Sequence, residues 1–279
     1  MSAGGVSVRL GQLRHKEGGR ILGVAFDHGG TGVPEGGAGI RRICGELTAS
    51  SAQALLLGPG LAARAGDLLA APGAPRLVVS VDVPIFSPLP GSGESLEDHR
   101  RLVRVEAAVG LGATAVKVLL PVGRGSVSGF GDSVQLVAGV VEEAHRLGIP
   151  VMVEPALWGP LAVQEDELIL HSNRMAIELG ADLLKTPAPK GTDALAQLIE
   201  TSPVPVVMLG GSARARPDLV RDVALWMGAG AAGVVVGRNV WMAQDPVLMV
   251  SALSVVVHGG SVEQALGILG EDRVARDAL

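Results

Sequence analysis

Eight short runs rich in Val, Ile, Leu and Met, spaced almost regularly along 279 residues, constrain this chain more than any other feature. They are Ile21–Phe26, Ala54–Leu57, Leu77–Val83, Ala115–Leu120, Val151–Val153, Asp182–Lys185, Val206–Leu209 and Gly233–Val236. Each is too short for a core helix and lacks apolar–polar alternation, the pattern of a strand covered on both faces. Stretches with helical spacing lie between them. One holds Arg101, Leu102, Val105 and Ala108, another Val134, Leu136, Val137, Val140 and Val141, a third Leu168, Ile169, Met175, Ala176 and Leu179. Gly112, Gly148, Gly180 and Gly228 close such stretches, where a helix C-terminus favours glycine. Pro150 and Pro205 stand at strand starts, where a missing N–H is tolerated.

Eight strands alternating with helices over about 250 residues predict a single-domain α/β fold, a (β/α)8 TIM barrel. An open doubly wound sheet is the competitor, but no dinucleotide glycine fingerprint follows the first run. Residues 1–20 are expected to form an N-terminal arm or short helix, 21–260 the barrel, and 261–279 a C-terminal helix and tail.

Composition excludes several classes. With 48% hydrophobic residues the chain is not disordered. A net charge of −5 and the lack of a Lys/Arg block argue against a nucleic-acid partner. The longest weakly polar stretch, Val223–Gly237, lies between Asp222 and Arg238 and falls short of the roughly 20 residues a membrane span needs. It reads as a buried helix followed by a buried strand. No membrane partner is expected, and a cytoplasmic location is. The single cysteine, Cys44, permits neither an internal disulfide nor a Cys-based zinc site. No histidine pair has metal-ligand spacing, so no metal is expected. Tyrosine is absent, and the four lysines are Lys16, Lys117, Lys185 and Lys190.

Barrels of this type carry their active sites at the C-terminal ends of the strands. The polar residues there are Asp27 and His28 after the first run, Asp82 in the third, Lys117 in the fourth, Glu154 after the fifth and Lys185 ending the sixth. A lysine is rarely buried without a partner. Burial and a neighbouring cation both lower its pKa and free its amine to attack a carbonyl. Spacing leaves two readings of Lys117 and Lys185: a pair that lowers one another's pKa, or structural ion pairs with Glu154 or Asp27. Glu154 either shuttles protons or balances lysine charge. Asp27 is placed to take a hydroxyl proton. His28 reads as an orienting or a structural residue, and Asp82 as a substrate contact or a charge balance. His15, His99, His145, His171 and His258 read as surface residues.

The turns after the last two runs, Gly210-Gly211-Ser212 and Gly237-Arg238, resemble an anion site: glycine lets backbone N–H groups approach, a helix start adds partial positive charge, and Arg238 adds a forked cation. A phosphorylated ligand is expected there. Gly123–Gly131 reads as a mobile loop able to cover the site. Gly123–Gly131 and the apolar helices near Leu225-Trp226 or Val247–Val257 read as faces for a homo-oligomer.

The motifs FDHGG (26–30), GATAVKV (112–118), GADLLKTP (180–187), VPVVMLGGS (204–212) and GVVVGRNVWMAQDP (233–246) together resemble the class I aldolases of the archaeal-type fructose-1,6-bisphosphate aldolase superfamily, from about Ile21 to Ala265. The resemblance implies a (β/α)8 barrel, a Schiff-base lysine at Lys185, the first-strand aspartate at Asp27, and phosphate contacts at Gly210, Gly211, Ser212, Gly237 and Arg238. It implies neither metal nor cofactor, and a homo-oligomer. The chain departs from that branch in lacking its tyrosine proton donor after the fifth strand. AVKVLLP and VMVEPAL instead look like the tagatose-bisphosphate and sulfofructose-phosphate aldolases, which implies Lys117 and Glu154 as their strand-4 lysine and strand-5 glutamate. The expected function is a Schiff-base aldolase acting on a phosphorylated ketose, with dihydroxyacetone phosphate as product or donor. The alternatives are a related biosynthetic synthase or transaldolase with a non-sugar acceptor, and a non-catalytic barrel that binds a sugar phosphate.

Overall fold

The computed structural model describes residues 3–27, 39–85, 98–159, 161–163 and 165–276. Ten strands are present among them: β1 (Ile21–Phe26), β2 (Ala54–Leu57), β3 (Arg76–Ser80), β4 (Asp82–Ile85), β5 (Asp98–Arg101), β6 (Ala115–Val122), β7 (Val151–Leu157), β8 (Leu183–Thr186), β9 (Val206–Leu209) and β10 (Gly233–Val236). Eight close into a parallel barrel in the order β1-β10-β9-β8-β7-β6-β3-β2, as the eight apolar runs predict. The helices are α1 (Ala3–Gln12), α2 (Ile40–Leu47), α3 (Pro59–Leu69), α4 (Val105–Gly110), α5 (Val127–Arg146), α6 (Asp166–Glu178), α7 (Thr192–Glu200), α8 (Arg216–Gly228), α9 (Arg238–Trp241), α10 (Pro246–Val257) and α11 (Val262–Arg276).

The runs do not alternate because both strand faces are buried. Outward residues such as Leu22, Val24, Leu55, Val116 and Val153 lie beneath the helices. Inward residues such as Ile21, Leu56, Val78, Met152 and Val235 fill the barrel. Each fully buried Val, Leu or Ile contributes about 1.5–3 kcal/mol, so neither face has room for a polar residue without a partner. Leu13 and Leu10, at the end of α1, pack into the inner cluster and close its N-terminal mouth.

Several expectations are corrected. The run Leu77–Val83 is two strands. β3 stops at Ser80, and Asp82 opens β4, which pairs antiparallel with β5 as a separate hairpin. Arg101 therefore belongs to that hairpin, and α4 begins only at Val105, with Arg104 as its extended N-cap. Gly123–Gly131 is not one loop. The Ser126 hydroxyl accepts from the Gly129 N–H at 3.0 Å and caps α5, so residues from Val127 on are helical. Gly112, Gly148 and Gly180 take the left-handed conformation after their helices, but α8 runs through Gly228, and Gly230 takes that role. The apolar helix Val247–Val257 lies within α10, whose Met249, Val250, Leu253 and Val257 are buried in the chain itself. No helix among the described residues is long and apolar enough to cross a membrane.

Candidate active site

Side chains two apart on a strand share a face. Ala25, Ala115, Met152 and Leu183 point into the barrel. Two residues further on stand Asp27, Lys117, Glu154 and Lys185, at the C-terminal end of the same inner face. Their side chains are nearly closed off, from 4% exposed for Lys185 to 12% for Glu154.

One carboxylate oxygen joins the two lysines. Glu154 Oε2 lies 2.9 Å from Lys185 Nζ and 3.0 Å from Lys117 Nζ. The amine nitrogens are therefore within about 6 Å of one another, close enough for each charge to disfavour the other. Lys117 also sits 3.2 Å from Asp27 Oδ2 and 4.0 Å from Asp82 Oδ1. Burial opposes the Lys117 charge, but Glu154, Asp27 and Asp82 outweigh it and raise its pKa, so Lys117 is an ammonium. For Glu154, burial and Asp27 push upward, but Lys117 and Lys185 prevail and hold the carboxyl below its ordinary range. At neutral pH it is a carboxylate. Of the two readings left open for Lys117, its surroundings favour the ion pairs with Glu154 and Asp27 over a lowered pKa. Chemically, the cluster sets an amine against a proton acceptor beside a fixed cation, in a site mostly closed to water.

Asp82 does not stand alone. Its Oδ2 accepts from the Leu119 N–H and from His99 Nε2, each at 2.7 Å. The other ring nitrogen, Nδ1, meets Ser133 Oγ at 3.1 Å, and Arg124 donates to that hydroxyl at 2.9 Å. His99 is thus buried, not a surface residue. His145 keeps a partly exposed side chain, as expected of a surface residue, and bonds Asp182 at 2.9 Å. No sequence signal marked His99, because its neighbours Asp98 and Arg100 are polar and the hairpin that turns it inward was not foreseen. His28, Gly29 and Gly30 lie outside the described residues.

The two turns of the expected phosphate site lie side by side, because β9 and β10 are neighbours. Gly210 packs so closely that an added Cβ would lie 2.7 Å from Val236 Cγ1. Gly211 takes φ 69°, a conformation open to glycine. Gly237 precedes α9 and Arg238 opens it. Arg238 is half-buried and makes no ion pair among the described residues. A residue the sequence reading missed joins the turns. Asn239 donates to the Gly210 carbonyl at 3.0 Å and the Ser212 carbonyl at 2.9 Å, and accepts from the Arg214 N–H at 3.0 Å. Its place beside Arg238 in the first turn after a strand was the available clue. Arg214 pairs with Asp222 and lies 5.7 Å from the Trp226 ring. Among the described residues no group of three or more His, Cys, Asp or Glu is arranged to hold a metal ion.

Comparison with known proteins gives the same picture from sequence. Residues 21–243 match the family described as DeoC/LacD family aldolase. The 2-amino-3,7-dideoxy-D-threo-hept-6-ulosonate synthase of Halobacterium salinarum is 32% identical over 267 residues, covering 95% of this chain and 96% of that protein. A class 1 fructose-bisphosphate aldolase of the same species is 36% identical over 125 residues, covering 44% and 48%. Among solved structures, an archaeal fructose-1,6-bisphosphate aldolase, captured with its catalytic lysine bound to the carbinolamine of the substrate, superposes with a TM-score of 0.75 at 23% identity, covering 91% of this chain and all of that one. At that identity the likeness speaks for the fold.

Proposed function

This chain is a class I aldolase of the DeoC/LacD family, and on that premise we propose that it makes or breaks a carbon–carbon bond in a phosphorylated ketose through an imine at Lys185, with dihydroxyacetone phosphate as donor or product. The observation that carries the reading is the single Glu154 oxygen within hydrogen-bond reach of both lysines. Lys185 gives a proton to Glu154, and the fixed charge of Lys117, which favours the Glu154 carboxylate, keeps Glu154 ready to pass that proton on. The free amine adds to the substrate ketone. Glu154 then returns a proton to the carbinolamine hydroxyl, which leaves as water. The iminium nitrogen draws the electron pair of the breaking bond, while Asp27 takes the proton of the substrate hydroxyl that becomes the aldehyde. Gly210, Gly211, Ser212, Gly237 and Arg238 hold the phosphate, and the enzyme works in the cytoplasm as a homo-oligomer.

The full-length likeness to a heptulosonate synthase favours a second reading of the same chemistry, a bond-forming synthase with a different acceptor. Condensation assays with dihydroxyacetone phosphate or fructose 1,6-bisphosphate as donor, and sugar-phosphate aldehydes or aspartate semialdehyde as acceptors, separate the two. The imine is tested by borohydride reduction with dihydroxyacetone phosphate followed by peptide mass spectrometry. The expected adduct sits on Lys185 and disappears in Lys185→Ala. Undiminished trapping in that variant would overturn the assignment, and ligand-induced stabilisation with no adduct would indicate a binding barrel instead.

A further inference from the structure

Two amines share one carboxylate at the barrel mouth, so a substrate ketone meets two candidate nucleophiles. Distance does not separate them; their surroundings do. Lys117 is faced by Asp27 after β1, Asp82 from β4 and Glu154 from β7. Among the described residues Lys185, from β8, has Glu154 as its one ion-pair partner. Asp82 is the carboxylate that only Lys117 has and that no catalytic step uses. It belongs to the β4–β5 hairpin, which departs from the barrel between its third and fourth strands. In that hairpin Asp82 pairs with Arg101 and Pro84 with His99, which brings Asp82 and His99 together as diagonal neighbours.

We propose that His99 is a positioning residue for the lysine pair: it locks the Asp82 carboxylate in the orientation that anchors Lys117, and so keeps Lys117 from competing with Lys185 for the substrate carbonyl. This rests on Lys185 being the nucleophile. His99 Nε2 and the Leu119 N–H together occupy Oδ2 of Asp82, which leaves Oδ1 to face Ser80 at 3.3 Å and Lys117 at 4.0 Å. Both side chains are fully buried. The ring cannot turn away without breaking a second bond, since Nδ1 meets Ser133 on α5, itself held by Arg124 and by the Gly129 carbonyl. Leu119 is two residues from Lys117 on β6, so the clasp that orients Asp82 is tied to the strand carrying the lysine it serves.

The test reads the amines directly. Acetic anhydride reacts only with uncharged amine, so acetylation at fixed pH follows the small free fraction of each lysine. Lys117 and Lys185 are quantified by peptide mass spectrometry against exposed Lys16 in the same sample, with no substrate present. In His99→Leu and in Asp82→Asn, the Lys117-to-Lys185 ratio is expected to rise about tenfold. In His99→Gln, whose amide can take the place of Nε2 as donor, it should stay within about twofold of wild type. A general loosening of the barrel would raise both lysines together and leave the ratio unmoved. With dihydroxyacetone phosphate and borohydride, the label should spread from Lys185 to Lys117 in His99→Leu and stay on Lys185 in His99→Gln. An unchanged ratio in both His99→Leu and Asp82→Asn, or a rise in His99→Gln equal to that in His99→Leu, would overturn the proposal. Should His99→Leu not fold, Asp82→Asn against His99→Gln carries the same comparison. If wild type forms no adduct on Lys185 at all, the functional reading fails, while the acetylation ratio still decides the role of His99 in holding Lys117.

Discussion

At the residue scale, Glu154 has to stay ionised to be of use. Burial and Asp27 work against its charge, yet the two lysines hold its carboxyl below the ordinary range. A group already ionised at neutral pH begins the cycle as a base. Glu154→Gln keeps the shape but can neither take nor return a proton. Its turnover of fructose 1,6-bisphosphate is expected to fall about 10²- to 10⁴-fold, while borohydride still labels Lys185 at long incubation. Wild-type turnover in this variant would remove Glu154 from the proton path. In the proposed mechanism a carboxylate reachable from both amines stands in for the absent tyrosine, an exchange visible in the sequence only as the lack of one residue type and the presence of Glu154.

At the element scale, the turns after β9 and β10 behave as one unit because Asn239 stitches them. Its three hydrogen bonds reach Gly210, Ser212 and the Arg214 N–H, and the residue is nearly buried. Asn239→Ala leaves two carbonyls and one N–H without these partners, at a cost of about 1–3 kcal/mol. Steady-state kinetics should show KM for a phosphorylated substrate rising about tenfold while kcat changes less, since in the proposed site these turns hold the phosphate and not the reacting carbon. A fall in kcat at constant KM would contradict this. The hairpin shows the limit of reading elements from pattern. Leu77–Val83 is one apolar run, but continuity of hydrophobic residues says nothing about where a strand leaves the barrel. Backbone bonds decide it: Val81 donates to the Lys117 carbonyl and accepts from Leu102 and Val103, so the chain turns toward a partner far ahead in sequence.

At the scale of the whole molecule, the barrel is sealed below by α1 and the chain that follows it, and the end of α10 meets this seal. The His15 and His258 rings lie 4.2 Å apart between centroids, and Arg20 donates to the Met227 and Val257 carbonyls beside them. Among the described residues neither ring nitrogen of His258 has a hydrogen-bond partner. Burial first, then the charges of His15 and Arg20, push the His258 pKa from 6.5 down to about 4. The unfolded chain therefore binds a proton that the folded chain refuses. Stability rises with pH across that interval and is lost as pH falls from 6.5 toward about 4. Urea midpoints for wild type and His258→Leu should converge or cross as pH drops through this window. Parallel curves would show that the histidine does not titrate differently on folding.

The architecture was legible because two-sided burial forces apolar runs of strand length, and eight of them separated by helices leave few closed arrangements. The runs also named Asp27, Glu154 and Lys185 at or just after their ends and Lys117 within one, since a charged residue in a buried strand has to meet a partner. What the sequence alone determined is the barrel and the set of charges at its mouth. Only the tertiary structure decided how those charges are shared: that one glutamate oxygen serves both lysines, that Lys117 is held as a cation, and that His99 and Asn239 fasten the groups around them. Such assignments depend on distances of a few ångströms between residues from different strands, and local pattern carries no information about those distances until the ring of strands closes.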